Sequence, residues 1–233
     1  MRVCVIPARG GSKRIPRKNV KLFLGRPMIA WSIDVAIKSD CFDRIVVSTD
    51  DDEIAQVAIG CGAEVPFIRP ASLSDDYAGT VEVLAHAAEA LLLRPEDVVC
   101  CLYATAPFVR EEDLQAGHKK LLQSDLDYVV SVVEYNYPIQ RALRFVGGRL
   151  SMFDSEMYGV RSQDLEGAWH DAGQFYWGNA EAWMQRKPVL NALSGGVILP
   201  SYRVQDIDTP DDWVRAELMF RMLRSDVLSD GVC

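Results

Sequence analysis

The chain has 233 residues, 49% of them hydrophobic and 25% charged, a balance that fits one globular unit able to bury a good core. Its formal net charge is −8, from 25 basic and 33 acidic residues, which argues against nucleic acid as the main partner because duplex binding needs a broad basic face. No apolar stretch reaches about eighteen residues and the apolar run after Arg2 is too short for a secretory leader, so the expected compartment is the cytoplasm.

Val3 to Ile6 is an apolar run long enough for a buried strand, and it opens onto the stretch Ile6 to Asn19, IPARGGSKRIPRKN. Gly25-Arg26-Pro27 closes that loop. Pro27 suits the first position of a helix predicted through about Lys38, with Ile29, Ile33 and Ile37 spaced by four. Arg44 to Ser48 reads as a second buried strand. Asp50 to Glu53 then put carboxylates into the first turn of the next helix, where they cap free N–H groups; a nucleotide contact is the other reading. Glu64 to Ile68 reads as a third strand, and Arg69 to Gly79, rich in Pro, Ser and Asp, as a loop. Thr80 can cap a helix whose Val83, Leu84, Ala87, Ala88 and Leu91 share one face. A strand at Asp97 to Leu102, a loop at Tyr103 to Pro107, a helix over 111–124 and a strand over 127–133 continue the alternation. Such β-then-α repetition predicts an α/β fold, a mainly parallel sheet flanked by helices on both faces. Ligands then bind beyond the carboxyl ends of the strands, the edge from which the basic loop, Asp50, the Arg69 loop and the Tyr103 loop all leave.

From Tyr135 to about Trp177 the periodicity weakens and aromatics rise. Phe145 to Leu150 looks like a hairpin around the Gly147-Gly148 turn, and by itself the segment reads as an ordinary insertion. Gln174 to Gly178 is an aromatic-rich strand, followed by a helix over 180–186 and last strands at Gly195 to Leu199 and Tyr202 to Asp206. Thr209, Pro210 and Asp212 have the order of an N-cap, first helical residue and capping carboxylate, for a helix to about Leu223 with a frayed tail from Ser225 to Cys233. The whole is one domain over 1–233 with an insertion at about 135–172. The six cysteines (4, 41, 61, 100, 101 and 233) show no CxxC pair and no metal-ligand spacing, and read as small apolar filler.

The stretch Ile6 to Asn19 packs two glycines and five basic residues into fourteen positions, against the acidic average. Gly10 and Gly11 leave the backbone free to take φ > 0 and turn N–H groups toward an anion, while Arg9, Lys13, Arg14, Arg17 and Lys18 bring positive charge. It is neither a GxGxxG fingerprint nor a GxxxxGK[ST] loop. A loop built to hold phosphate is one reading and a solvated basic loop the other. Asp206 and Asp208 lie two residues apart, as at a strand end where both point to one side and can hold a hard divalent ion; a solvated strand end is the alternative. Cations, amides and metal are the groups that nucleotidyl transfer needs, because they neutralise charge building on phosphates.

IPARGGSKRIPRKN resembles the opening of the CMP-sialic acid synthetase family, cytidylyltransferases that activate nine-carbon acidic sugars. The likeness continues through Ser48-Thr49-Asp50, Arg69-Pro70, LSDD at 73–76, Thr105-Ala106-Pro107, Arg161 to Leu165 and Asp206-Ile207-Asp208-Thr209-Pro210. YPIQRAL at 137–143 and RSQDLEGAWHDAGQFYWG at 161–178 resemble the pseudaminic acid branch. The resemblance implies a Rossmann-like sheet of the nucleotide-diphospho-sugar transferase type. It implies CTP as donor and a nine-carbon ulosonic acid as acceptor. It also implies Mg2+ as cofactor on Asp206 and Asp208, and a homodimer in which the insertion completes the sugar pocket. By the same likeness Arg9, Lys13 and Lys18 hold the triphosphate and Ala8, Gly10, Gly11 and Ser12 contribute backbone, while Asn19, Arg69 and Thr80 stand near the nucleoside. Lys18, Asp206 and Asp208 are then the catalytic candidates. For the sugar, Gln140, Arg141, Arg161, Gln163, Asp164, His170, Asp171, Gln174 and Tyr176 supply cations, amides and an aromatic wall, with a structural hydrogen bond as the other reading of His170. Where sialic acid synthetases carry glutamine before Pro-Thr-Ser-Pro, this chain has Tyr103 before Ala-Thr-Ala-Pro, which fits pseudaminic acid better than N-acetylneuraminic acid. CMP transfer to legionaminic or N-acetylneuraminic acid and a non-catalytic nucleotide-binding protein stay open. The missing GxGxxG argues against an oxidoreductase. No catalytic base is assigned: Asp206, metal-bound hydroxide and solvent all fit.

Overall fold

The computed structural model describes residues 1–229, with side chains through Arg224. In chain order the elements are β1 (Arg2–Pro7), the short ribbon strands β2 (Leu22–Phe23) and β3 (Arg26–Pro27), α1 (Met28–Lys38), β4 (Arg44–Ser48), α2 (Asp52–Gly60), α3 (Thr80–Ala90), β5 (Val98–Leu102), α4 (Glu111–Leu122), β6 (Tyr128–Glu134), the hairpin strands β7 (Leu143–Val146) and β8 (Arg149–Met152), β9 (Trp169–Asn179), α5 (Ala180–Met184), β10 (Ser194–Ile198) and α6 (Pro210–Ser229).

Six strands form one sheet in the order β10-β6-β9-β5-β1-β4. β1 runs parallel to β4 and β5, and β10 parallel to β6, as the β-then-α alternation predicts. β9 is the exception, antiparallel to both neighbours. The chain leaves β6 at its carboxyl end, makes the long insertion, and re-enters from that same end, so β9 can only run backwards. Its register on β6 shifts between Val130 and Val132, where the Ser131 hydroxyl accepts the Gln174 and Phe175 amides at 3.3 and 3.0 Å in place of a regular ladder.

Both faces of the sheet are buried. Cys4 and Ile6 of β1 point into a core shared with Ile29 and Ile33 of α1, Ile54 of α2 and Leu114 of α4. Val3 and Val5 point the other way, onto Leu84 and Ala87 of α3 and Trp183 of α5. Period-two alternation on a doubly covered strand is why its sequence is an uninterrupted apolar run. Cys4, Cys41, Cys100 and Cys101 sit free and buried in these cores, and burial pushes the Cys4 and Cys100 thiols up. Cys233 lies outside the described residues.

A third cluster positions the site. Phe23, Trp31, Phe108, Trp213 and Phe220 pack α6 against the ribbon and α1, and they enclose Ile15 of the basic loop together with Ile207 of the acidic segment. The rings of Phe23 and Phe220 meet edge-on at 5.5 Å, as do those of Phe23 and Trp213.

Several local expectations are corrected. Glu64 to Ile68 makes only two isolated parallel bridges, Val46 to Glu64 and Thr49 to Ile68, because Pro66 between them has no N–H to donate. Tyr202 to Asp206 is no strand. It is a 3₁₀ turn at Ser201–Arg203 and an extended run without ladder, anchored by Arg203 forking onto Asp113 at 2.7 and 3.0 Å. Thr80 is the first residue of α3 rather than its cap, which is Gly79. β9 begins at Trp169, α5 ends at Met184, and α6 continues through Ser229; residues 230–233 of the predicted tail lie outside the described residues. The box at Thr209 is present, with the Thr209 amide donating to Asp212 at 2.9 Å and the Asp212 amide to the Thr209 hydroxyl at 3.2 Å.

The insertion leaves the body of the molecule. Gly147 and Gly148, at φ of 57° and 78°, make the tight turn between β7 and β8, a conformation that glycine takes without strain. Tyr137, Phe145 and Tyr158 are each more than three-quarters exposed on it.

Candidate active site

The crevice forms where the strand order reverses about β1, between the loop after β1 and the loop after β5. Buried Asn19 shapes the first loop by donating to the Arg9 carbonyl at 2.9 Å, and the buried Ala8 amide donates to Ser48 O at 2.9 Å. Neither Gly10 nor Gly11 takes a positive φ, contrary to expectation. Gly10 is needed for another reason: a Cβ there would lie 2.6 Å from Asp51 Oδ2, and its amide donates to Asp50 Oδ1 at 3.0 Å. Arg17 is the loop residue in the left-handed region, at φ 56°. Its guanidinium reaches Asp51 at 2.5 and 2.9 Å and Glu53 as well, so it serves α2 rather than the cleft. Arg17 holds the Asp51 carboxyl down to about 2, and Asp51 caps α2 by accepting the Ile54 amide at 3.0 Å. Capping is therefore the role of Asp51, while Glu53 pairs with Arg17 and Asp50 turns to the basic loop.

A cleft of about 520 Å³ opens here, bordered by Arg9, Ser12, Lys13, Arg14, Lys18 and Asn19 on the loop after β1, by Arg69 and Asp76 on the loop before α3, by Thr80 and Tyr103, and by Asp208. Lys18 Nζ donates to the Ile207 carbonyl at 2.7 Å and to Asp208 Oδ1 at 3.1 Å, while Arg14 meets Asp208 Oδ2 at 2.6 Å. Residues near opposite ends of the chain thus close one site. Asp206 and Asp208 flank Ile207, whose side chain is wholly buried, so the alternation expected of a strand end persists without a strand. Among the described residues the Asp206 carboxylate has no hydrogen bond or ion pair; desolvation, and after it the neighbouring Asp208 charge, raises it.

Arg69 is 4% exposed, with Nε donating to the Ser74 hydroxyl at 3.1 Å; its burial lowers the guanidinium, against the nearby Asp50 charge. Asp76 takes both Lys13 at 2.5 Å and Arg9 at 2.9 Å, and Arg9 also donates to the Asp75 carbonyl at 2.6 Å. The Tyr103 phenol lies 3.1 Å from Thr80 Oγ1.

The sequence model of the family described as Cytidylyltransferase matches residues 3–144. A pseudaminic acid cytidylyltransferase of Campylobacter jejuni subsp. jejuni is 44% identical over 223 residues, covering 94% of this chain and 96% of that protein. The chain belongs to the cytidylyltransferase family. A CMP-N,N'-diacetyllegionaminic acid synthase of Legionella pneumophila is 32% identical over 94% of this chain and 96% of its own length. Among solved structures, CMP:2-keto-3-deoxy-manno-octonic acid synthetase complexed with CTP superposes with a TM-score of 0.70 at 15% identity, over 95% of this chain and 98% of the other, a likeness of fold.

In this cytidylyltransferase the expected phosphate and nucleoside residues converge, and the expected sugar residues divide. Ala8, Gly10 and Gly11 lie on the loop beside Arg9, Ser12, Lys13, Lys18 and Asn19, and Arg69 and Thr80 border the same cleft. Gln140 donates to the Glu166 carbonyl at 2.9 Å and Arg141 to that of Val160 at 2.5 Å, both on the insertion. Arg161 pairs with Asp164 at 2.7 Å, and Gln163 is exposed beside them. None of these five borders the cleft of their own chain. His170 is exposed, with Nδ1 2.9 Å from the Asp171 carbonyl and its ring 4.7 Å from Tyr135. Gln174 is buried and donates to the Arg203 carbonyl at 2.8 Å, away from the cleft. Two participants had no individual role from sequence: Arg14, named only as one of the five loop cations, and Asp76, whose signal was the LSDD run.

Proposed function

We propose that this cytidylyltransferase transfers CMP from CTP to the anomeric hydroxyl of pseudaminic acid, releasing pyrophosphate, in the cytoplasm and as a homodimer. The observation that carries the reading is the meeting of Lys18 and Asp208 at a cleft that also gathers Arg9, Lys13 and Arg14. The sugar hydroxyl oxygen bonds to the α-phosphorus and releases its proton to solvent as the bond from that phosphorus to the β-bridging oxygen breaks. The cations hold the triphosphate and offset the charge that passes to the departing pyrophosphate.

Magnesium fits the acidic pair. Two carboxylates suffice for an ion that keeps several waters, and Asp206, which among the described residues has no protein partner, stands beside Asp208, whose oxygens meet Lys18 and Arg14. Asp206 and Asp208 would hold the ion, which when bound supplies Lewis-acid neutralisation of phosphate oxygens. Lys18 and Arg14 orient Asp208, and Lys18 fixes the backbone between the two aspartates. Asp208→Ala is expected to bind CTP yet turn over at least about a hundredfold more slowly, by single-turnover kinetics.

The greater identity to the pseudaminic than to the legionaminic enzyme supports the choice of sugar, and so does Tyr103 where sialic acid synthetases carry glutamine. Exposed Tyr137, Phe145 and Tyr158 on the insertion support a second copy as its partner. No helix among the described residues is long and apolar enough to cross a membrane. The test is incubation with CTP, magnesium and, in turn, pseudaminic, N,N'-diacetyllegionaminic and N-acetylneuraminic acid, with products read by mass. CMP-pseudaminic acid is the expected main product. Preference for another sugar reassigns the acceptor, and no pyrophosphate release with any of them returns the chain to a nucleotide-binding protein.

A further inference from the structure

The wall made by the end of β5 and the start of α3 carries a chain of polar groups that phosphate binding does not use. The Tyr103 phenol lies 3.1 Å from Thr80 Oγ1 and 3.4 Å from the Tyr176 phenol, and Tyr176 donates to Asp171 Oδ2. Asp171 Oδ1 accepts the Gly173 amide at 2.7 Å, which anchors the carboxylate on β9. Thr80 and Tyr103 border the cleft; Tyr176, 5% exposed, and Asp171 do not.

Counting protons gives this chain a direction. An ionised carboxylate only accepts, so Tyr176 spends its single proton on Asp171 and has lone pairs left for Tyr103. Tyr103 then donates to Tyr176, and its oxygen accepts from Thr80. With both protons of the wall directed along the chain, the oxygens at the cleft offer lone pairs. We propose that Asp171 is a positioning residue acting through Tyr176 on Tyr103 and Thr80, so that this wall selects an N–H or O–H donor of the nine-carbon sugar. The inference rests on the sugar-activating function above, and it moves Asp171 and Tyr176 from direct sugar contacts to the support of Tyr103, and Thr80 from the nucleoside to the sugar side of the cleft. Burial pushes the Tyr103 phenol up to about 12 and raises Tyr176 as well, so both keep their protons through the neutral range. The link of 3.4 Å is the longest, and a donor bound to the Tyr103 oxygen strengthens it by polarising the phenol.

Tyr103→Phe and Tyr176→Phe keep the edge-on ring contact at 5.5 Å and each break the chain. Each is expected to raise KM for pseudaminic acid about tenfold with KM for CTP unchanged, and the double variant is expected to be no worse than the worse single one, since both cut one chain. Asp171→Asn keeps an oxygen for the Gly173 amide and is expected to shift the same KM about threefold. Single-variant effects that multiply in the double variant would mark independent sugar contacts and overturn the inference. An equal rise in KM for CTP, or single variants like wild type, would overturn it too. A wild-type protein inactive on every sugar removes the function and this inference together, whereas additive variants of an active enzyme remove the inference alone.

Discussion

Asp76 neutralises two of the cations that border the cleft, Lys13 at 2.5 Å and Arg9 at 2.9 Å, and so stands where a phosphate oxygen has most to gain. Asp76→Asn is expected to lower KM for CTP in initial-rate measurements; a raised KM would mean that the carboxylate aims the two cations instead. Asp51 has a different use for its charge. Arg17 depresses its carboxyl to about 2, so the stability it contributes is complete above the ordinary carboxylate range near pH 4 and is lost as pH falls through about 2. Asp51→Asn keeps a capping oxygen and removes the ion pair. Discounted for partial exposure, that pair is worth about 1 kcal/mol, so Tm at pH 7 is expected to drop by about 2–4 °C and the difference to close toward pH 2. Composition and order reveal such residues unevenly. Lys18 was legible because it sits in a dense basic loop, whereas the commitment of Arg17 to Asp51 depends on a left-handed backbone turn that no local pattern announces.

The elements most legible in the chain are those whose burial leaves one kind of pattern. β1, β4 and β5 are covered on both sides and read as plain apolar runs, and the helices between them keep one apolar face. Strand direction leaves no such mark, so β9 reads identically whether parallel or reversed, and only the insertion before it decides. Tyr202 to Asp206 misled through its alternation of apolar and polar residues, but the groups that satisfy it belong to Asp113 and Phe108, about ninety positions earlier. α6 matters to the site although it contributes no residue to the cleft, since Phe220 packs in the cluster that encloses Ile15 and Ile207. Phe220→Ala is expected to cost about 3–5 kcal/mol in denaturant unfolding. Weakened CTP binding by calorimetry should accompany it, because the two segments that Lys18 bridges lose a common support.

At the scale of the molecule, the insertion holds most of the exposed aromatic surface and most of the expected sugar residues that the cleft of their own chain does not reach. A partner copy that covers the former can bring the latter to its neighbour. Wild-type protein is expected to sediment at about twice the 26.0 kDa chain mass, and Phe145→Asp on the hairpin to shift it toward the single-chain value with loss of sugar turnover. A monomeric wild type that is fully active would set the insertion apart from catalysis.

Lys18 hydrogen-bonds a carbonyl 189 positions downstream, and that bond carries a consequence for biosynthesis. While the ribosome is still translating, the early basic turn has emerged without its acidic counterpart, and a stalled or prematurely terminated product lacks the group that completes the pocket. Competence to use CTP therefore waits until the segment carrying Ile207 and Asp208 has been made, and a chain stopped before it is expected to be inert rather than altered in specificity.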